Sequence, residues 1–183
     1  MNDTQAKYLQ LLVDRQEIEQ VLKLYCRAID RLDLELLQSI YHPDGTDDHG
    51  SFNGNAQEFA KFIIGALAEL IIDGMHTVTH SVIDVQGNFA TSESYYIAYQ
   101  RCPGGNGKVS AFFGERYAQA MAKVGEINGD HDYLCGGRYI DLLERRNGEW
   151  KILRRKITNE WNDIRPSTRI TAVTTRPVMP AIV

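Results

Sequence analysis

Apolar residues recur at helical spacing through the first part of the chain and in alternation through the rest. Ile18, Val21, Leu22, Tyr25, Ala28, Ile29 and Leu32 form one stripe, which predicts an amphipathic helix from Asp14 to about Arg31. Asp33 is placed to cap a short second helix, Leu34 to Tyr41, which stops at His42-Pro43. Pro43-Asp44-Gly45 is a turn, and Thr46 to Phe52 reads as a short polar strand or loop. Asn55-Ala56-Gln57-Glu58 has the layout of a capping box and opens a third helix through Ile72, closed by Gly74. From Met75 the texture turns to strands: Met75 to Val85, Phe89 to Arg101, Lys108 to Lys123, Tyr133 to Arg146, and Trp150 to Trp161. Gln86-Gly87-Asn88, the run from Pro103 to Gly107 and the run from Gly125 to His131 separate them. Asn147-Gly148 is the strongest hairpin signal in the chain. Helices followed by an antiparallel meander predict an α+β architecture, with N-terminal helices packed on one face of a curved, mostly antiparallel sheet. A sheet curled over helices leaves a cone whose interior can hold a small molecule.

Composition narrows the function classes. The 183 residues suit a single domain spanning 1–183, with an irregular tail from about residue 165 that carries Pro166, Pro177 and Pro180. A net charge of -4 leaves no electrostatic footprint for nucleic acid or an anionic membrane, so neither is expected as a partner. No run approaches a membrane span, and Met1 to Gln5 lacks the features of a signal peptide, so the expected location is the cytoplasm. Cys26, Cys102 and Cys135 lie far apart, an odd count that suits reducing surroundings better than a disulfide framework. There is no dinucleotide-binding glycine motif, phosphate loop or nucleophile elbow. The expectation is chemistry by side chains alone, with no cofactor and no metal.

His76 and His80 are the first candidates for that chemistry. On a strand of period two, His76, Val78 and His80 share a face, and imidazole moves protons near neutral pH. The alternative is a pair of hydrogen-bonded structural histidines. A catalytic base needs a group that fixes its tautomer, and Asp30 is one carboxylate that could do so. On a helical wheel, however, Asp30 falls off the stripe of Ile18, Leu22, Tyr25 and Ile29, which favours solvent. Asp44, Asp47 and Asp48 fit no common metal spacing and read as a solvated turn, while His49 lies on a segment that runs beside the pocket. The tyrosines of the strands, Tyr95, Tyr96, Tyr99, Tyr117, Tyr133 and Tyr139, are mostly strand formers, with one or two free to donate to an oxyanion. Arg138, Arg154 and Arg155 read as sheet-surface charges, and Cys26 and Cys102 as inert thiols.

The series from Ile18 to Asp33, then Met75-His76-Thr77-Val78-Thr79-His80, then Gly136-Gly137-Arg138-Tyr139 and Glu144 to Trp150, resembles the SnoaL-like branch of the NTF2-like superfamily. The similarity runs from about Asp14 to Asp163. It implies a cone-shaped α+β barrel, and the superfamily includes scytalone dehydratase, bile acid 7α-dehydratase, a dehydrochlorinase, ketosteroid isomerases, polyketide cyclases and small subunits of ring-hydroxylating dioxygenases. By that resemblance His76 falls at the catalytic histidine of scytalone dehydratase and Asp30 at the aspartate that orients it. His49 replaces a water-holding tyrosine, Tyr99 stands where a second histidine would be, and Tyr139 lies near the position of an asparagine. Tyr25 matches a tyrosine of the bile acid dehydratase. The resemblance therefore implies a cofactor-independent, dehydratase-type lyase with an Asp30–His76 dyad, acting on a small cyclic or aromatic substrate. Tyr25, His49, His80, Tyr99 and Tyr139 would contact that substrate. Rival readings are an isomerase using the same base, a retro-aldol aryl-propanoid lyase, a non-catalytic dioxygenase small subunit, and a small-molecule binding module. Relatives commonly associate, so a homodimer or homotrimer is expected.

Overall fold

A computed structural model describes residues 2–168. The helix α1 runs Asp3–Arg31, longer than the apolar stripe alone predicts, because Asn2 and Gln5 close a reciprocal capping box ahead of it. Its buried face is Ile18, Val21, Leu22, Tyr25, Cys26, Ala28 and Ile29, together with Asp14. The helix ends at Leu32, whose φ of 55° is left-handed; its backbone N–H and that of Asp33 close onto the carbonyls of Ile29 and Ala28. Asp33 caps α2, Leu34–Ser39. The strands β1, Tyr41–Asp48, and β2, Asn53–Asn55, form a short hairpin. Asn55 then caps α3, Ala56–Leu70.

Four long strands follow: β3, Asp73–Gln86; β4, Phe89–Cys102; β5, His131–Arg146; and β6, Glu149–Pro166. Gly74 lies inside β3 rather than ending α3. The strand β6 holds through Pro166, and positions 169–183, most of the tail expected from about residue 165, lie outside the described residues. Between β4 and β5 the structure corrects one element. The segment from Lys108 to Lys123 is not a strand but two helices, α4, Asn106–Phe113, and α5, Glu115–Val124, broken at Gly114 with φ 86°. The sequence Tyr117-Ala118-Gln119-Ala120-Met121-Ala122-Lys123 is rich in strong helix formers and lacks the alternation a half-buried strand needs.

The six strands form one sheet in the order β2-β1-β6-β5-β4-β3. Every neighbouring pair is antiparallel except β1 and β6, which are parallel. The sheet stays open, with β2 and β3 as its edges, so the barrel is not closed. Helices α1, α2 and α3 fill its concave side, where Ile18, Leu22, Ala28, Leu37, Phe59, Ala60, Leu143 and Ile152 build the core. No helix among the described residues is long and apolar enough to cross a membrane.

Two irregularities in the sheet decide which side chains face that core. In β3 the pairing jumps from Val78↔Tyr96 to His80↔Tyr95, leaving Thr79 as an extra residue. Before the bulge the even positions, His76 and Val78, face inward; after it the odd positions, Ser81 and Ile83, do. In β6 the pairing jumps from Leu143↔Ile152 to Leu142↔Arg154, leaving Leu153 extra, so Trp150 and Ile152 face inward before it and Arg155 after it.

Candidate active site

The dyad forms where the end of α1 meets the free edge of β3. As an edge strand, β3 pairs with β4 on one side only, which leaves outward-directed N–H groups to find other acceptors. The backbone N–H of His76 donates to both carboxylate oxygens of Asp30, at 3.0 and 3.1 Å. The same carboxylate takes Nδ1 of the His76 ring at 2.7 Å. One side chain thus holds the residue by its backbone and its imidazole together. The helical wheel had put Asp30 in water, and the structure corrects that expectation. Asp30 is one turn beyond the buried Cys26, on the flank of the stripe that β3 covers, and its side chain is 22% exposed against 12% for His76.

This geometry assigns chemistry to one nitrogen. With Nδ1 tied to a carboxylate, the ring proton stays there and the Nε2 lone pair is the free one. Nε2 of His76 has no hydrogen-bond partner among the described residues. A cavity of about 10 Å3 opens beside the dyad, between Ile29, Leu67, Ile71, Gly74 and Gln100. It has room for about one water molecule, so the interior of the cone is narrower than the architecture alone suggests. A hollow of about 440 Å3 between α1 and the β5–β6 turn is larger, but Trp150, Glu17 and Lys151 line it and no imidazole reaches it. Asp30 and His76 both line the smaller cavity.

A second cluster occupies the middle of the sheet. The wholly buried Asp47 accepts from the Tyr41 hydroxyl at 2.6 Å through one oxygen and meets Nδ1 of His49 at 3.1 Å through the other. Across from Asp47 on β6, Arg155 is buried and binds Asp141 with two hydrogen bonds, at 2.7 and 2.8 Å. Its guanidinium lies between the rings of Tyr25 and Tyr139, 4.1 and 4.4 Å from their centroids. Burial holds the hydroxyls of Tyr25, Tyr41 and Tyr139 well above the ordinary phenol range, so all three are neutral.

The expected site residues therefore divide. Asp30 and His76 meet. His49 faces the interior and packs on Phe59 with ring centroids 4.7 Å apart. Tyr25 and Tyr139 are inside the cone, in edge contact with each other at 5.2 Å, but they grip Arg155. His80 and Tyr99 are not part of this interior. The Thr79 bulge turns His80 outward, where it stacks on Tyr95 at 4.4 Å. Tyr99, an odd position of β4, points to the outer face and donates to Asp132 at 2.8 Å. Two readings of the acidic turn and the arginines also change. Asp47 is not solvated, although Asp44 is exposed and pairs with Arg146; and Arg155 is not a surface charge, because the Leu153 bulge turns it inward. The spacing Asp47-x-His49 carried a signal for this pair, since positions two apart on a strand share a face. The remaining histidines are structural: His42 bonds the carbonyl of Glu144, and buried His131 bonds Tyr117.

Comparison with known proteins agrees with this architecture. No curated protein matches the chain in sequence. Among solved structures, a provisionally assigned scytalone dehydratase of Novosphingobium aromaticivorans superposes with a TM-score of 0.63 at 18% identity, covering 90% of this chain and 91% of its own. The hexachlorocyclohexane dehydrochlorinase LinA-type3 of Novosphingobium barchaimii gives a TM-score of 0.67 at 17% identity, with 91% and 99% covered. A protein of unknown function with a cystatin-like fold, from Nostoc punctiforme, gives 0.58 at 16% identity, with 81% and 92% covered. At such identities the likeness concerns the fold. The model of the SnoaL-like domain matches residues 10–156, most of the chain and both halves of the dyad, and the protein therefore belongs to the SnoaL-like family.

Proposed function

We propose that the protein is a cofactor-independent lyase in which His76, oriented by Asp30, abstracts a proton from a small cyclic or aromatic substrate and so drives elimination of a neighbouring group. The observation that carries this reading is the Asp30–His76 contact. The carboxylate fixes the tautomer, the backbone N–H bonds fix the ring, and Nε2 is left open beside a cavity. A base positioned this way supplies roughly 100- to 10,000-fold of rate through proton transfer alone. The dehydratase and dehydrochlorinase names carried by similar folds favour elimination over mere binding. The apolar lining by Ile29, Leu67 and Ile71 beside the dyad favours an uncharged group next to His76.

The test is turnover of a panel of cyclic and aryl β-hydroxy and β-halo carbonyl compounds, followed by the absorbance of the conjugated product and by mass. Wild-type protein should release water or halide. His76→Ala should lose activity to background with an unchanged melting curve, and an active His76→Ala protein would overturn the proposal. An isomerase on the same base would give a product of unchanged mass, and a retro-aldol lyase would release a carbon fragment.

A further inference from the structure

The cavity at the dyad has a second polar wall. Gln100 of β4 lines it together with Asp30 and His76, and Gln100 is only 9% exposed. Its side-chain amide has no hydrogen-bond partner among the described residues. A buried amide without a partner is penalised, and an acceptor that arrives with a ligand removes the penalty. We propose that the Gln100 amide N–H holds the carbonyl oxygen of the substrate while His76 takes a proton from the adjacent carbon. The substrate is then a neutral ketone, aldehyde or ester. This rests on the lyase reading above and names a substrate class for it.

Three observations support it. The first is placement. Gln100 pairs with Gly74 and Ala98 with His76, so Gln100 and His76 are diagonal neighbours on the inward face, about 7–8 Å apart. A carbonyl oxygen and the proton-bearing carbon beside it, each about 3 Å from its protein partner, fit a separation of that size. The second is room for the side chain. The residue opposite Gln100 is a glycine, and a Cβ at Gly74 would already touch Gln100 Cγ, at 3.4 Å. With no side chain at Gly74, the Gln100 stem lies over β3 and its amide reaches the cavity. The third is charge. Ile29, Leu67 and Ile71 are apolar, and among the described residues lining the cavity there is no lysine or arginine. Asp30 repels an anion at this place, and Gln100 offers an uncharged N–H. A carboxylate or phosphate is disfavoured there and a neutral carbonyl is matched. The volume of about 10 Å3 admits the oxygen and not the ring. The carbon skeleton lies on the side where Asp30 and His76 keep part of their surface in solvent.

The step balances without a co-reactant. Nε2 of His76 takes the proton from the α-carbon. The C–H pair forms a carbon–carbon double bond as the carbonyl π pair moves onto oxygen. The enolate oxygen draws on the Gln100 N–H more strongly than the ketone did, so the bond favours the transition state. The enolate then re-forms its carbonyl, the double bond shifts to the α and β carbons, and the β C–O bond breaks. The departing oxygen takes the proton back from His76 and leaves as water, which returns His76 to its starting form.

The test follows a cyclic β-hydroxy ketone through wild type, Gln100→Met, Gln100→Asn and His76→Ala. For each, kcat and KM are separated, and the Nδ1 resonance of His76 is recorded wherever that residue is kept. Gln100→Met keeps the length of the side chain and loses the amide. Its kcat should fall about 100-fold, with KM moving less and the resonance unchanged. Gln100→Asn, an amide one methylene short, should fall between. An unchanged kcat in Gln100→Met beside an inactive His76→Ala would overturn the Gln100 role and leave the lyase reading standing. Loss of kcat with a displaced His76 resonance would show that Gln100 only shapes the dyad, which also overturns it. An active His76→Ala, or wild type that turns over no probe, would overturn the lyase reading and this inference with it. Infrared difference spectra of cyclohexanone labelled with carbon-13 at the carbonyl need no variant. Bound to wild type, the stretch should lie below its position in hydrocarbon solvent, and in Gln100→Met it should return towards that position. A bound carbonyl at the hydrocarbon position, or no bound band, would overturn the proposal.

Discussion

Asp30 shows how one carboxylate does two jobs. Its bonds to the His76 backbone N–H fix where the strand runs, and its bond to Nδ1 fixes how the ring is protonated. Asp30→Asn keeps an acceptor for the backbone but offers an ambiguous partner to the ring. Turnover should fall by roughly 100-fold or more while the melting temperature moves little, which steady-state kinetics beside calorimetry will show. Asp141 acts differently, because both it and Arg155 are fully removed from water. Asp141→Ala removes the carboxylate that takes two hydrogen bonds from the buried Arg155 guanidinium, together with its paired counter-charge. Denaturant unfolding should register a loss of about 3–5 kcal/mol. Here the carboxylate matters to stability first and to the site only through Tyr25 and Tyr139.

At the scale of elements, the two bulges carry more functional consequence than any single strand. A period-two reading of β3 puts His76 and His80 together, and the extra Thr79 separates them. The same device in β6 brings Arg155 into the core when plain alternation from Trp150 and Ile152 would expose it. Deleting Thr79 gives β3 unbroken alternation, with His76, Val78, Ser81 and Ile83 still inward and His80 still outward. The shortened protein should fold with the Asp30–His76 contact kept, visible as an unchanged Nδ1 resonance of His76; loss of that resonance would show that the bulge itself shapes the edge. The helix end is similarly decisive. Leu32 accepts a left-handed φ that glycine would take more cheaply, and in doing so it turns the chain directly after Asp30.

For the whole molecule, the open sheet wrapped on three helices buries its thiols as well as its charges. Cys26, Cys102 and Cys135 are free and buried, and burial pushes Cys26 up to about 11 and Cys102 up to about 12. A thiol is nucleophilic only as the thiolate, so below these values the native protein holds both in the inert form. At pH 8 an aromatic disulfide reagent should leave the native protein essentially unreacted and titrate three thiols after unfolding in guanidinium. Fast labelling of the native chain would show that the cone opens.

Much of this molecule is legible in local pattern. The stripe of α1, the Asn55 cap of α3, the Asn147-Gly148 turn and the helices-then-meander order are all written in residue types and spacings, because propensity, capping and periodicity act over a few neighbouring residues. The same local signals place His76 on an inward strand face and mark it as a candidate base. They could not decide what meets it. Asp30 reads as solvated on its own helix, and only the docking of an edge strand against that helix turns it into a partner. The membership of Asp47 and Arg155 in one buried cluster likewise depends on β1 lying parallel to β6, strands separated by more than 100 residues along the chain. Bulges belong to this second class, since an extra residue is defined only against the strand it pairs with. Local residue pattern specifies most of the elements and marks His76 as a candidate, while Lys108 to Lys123 departs from it; tertiary structure decided the partner of His76, the second imidazole pair and which residues stay outside, because contacts between distant segments leave no periodic trace in either one.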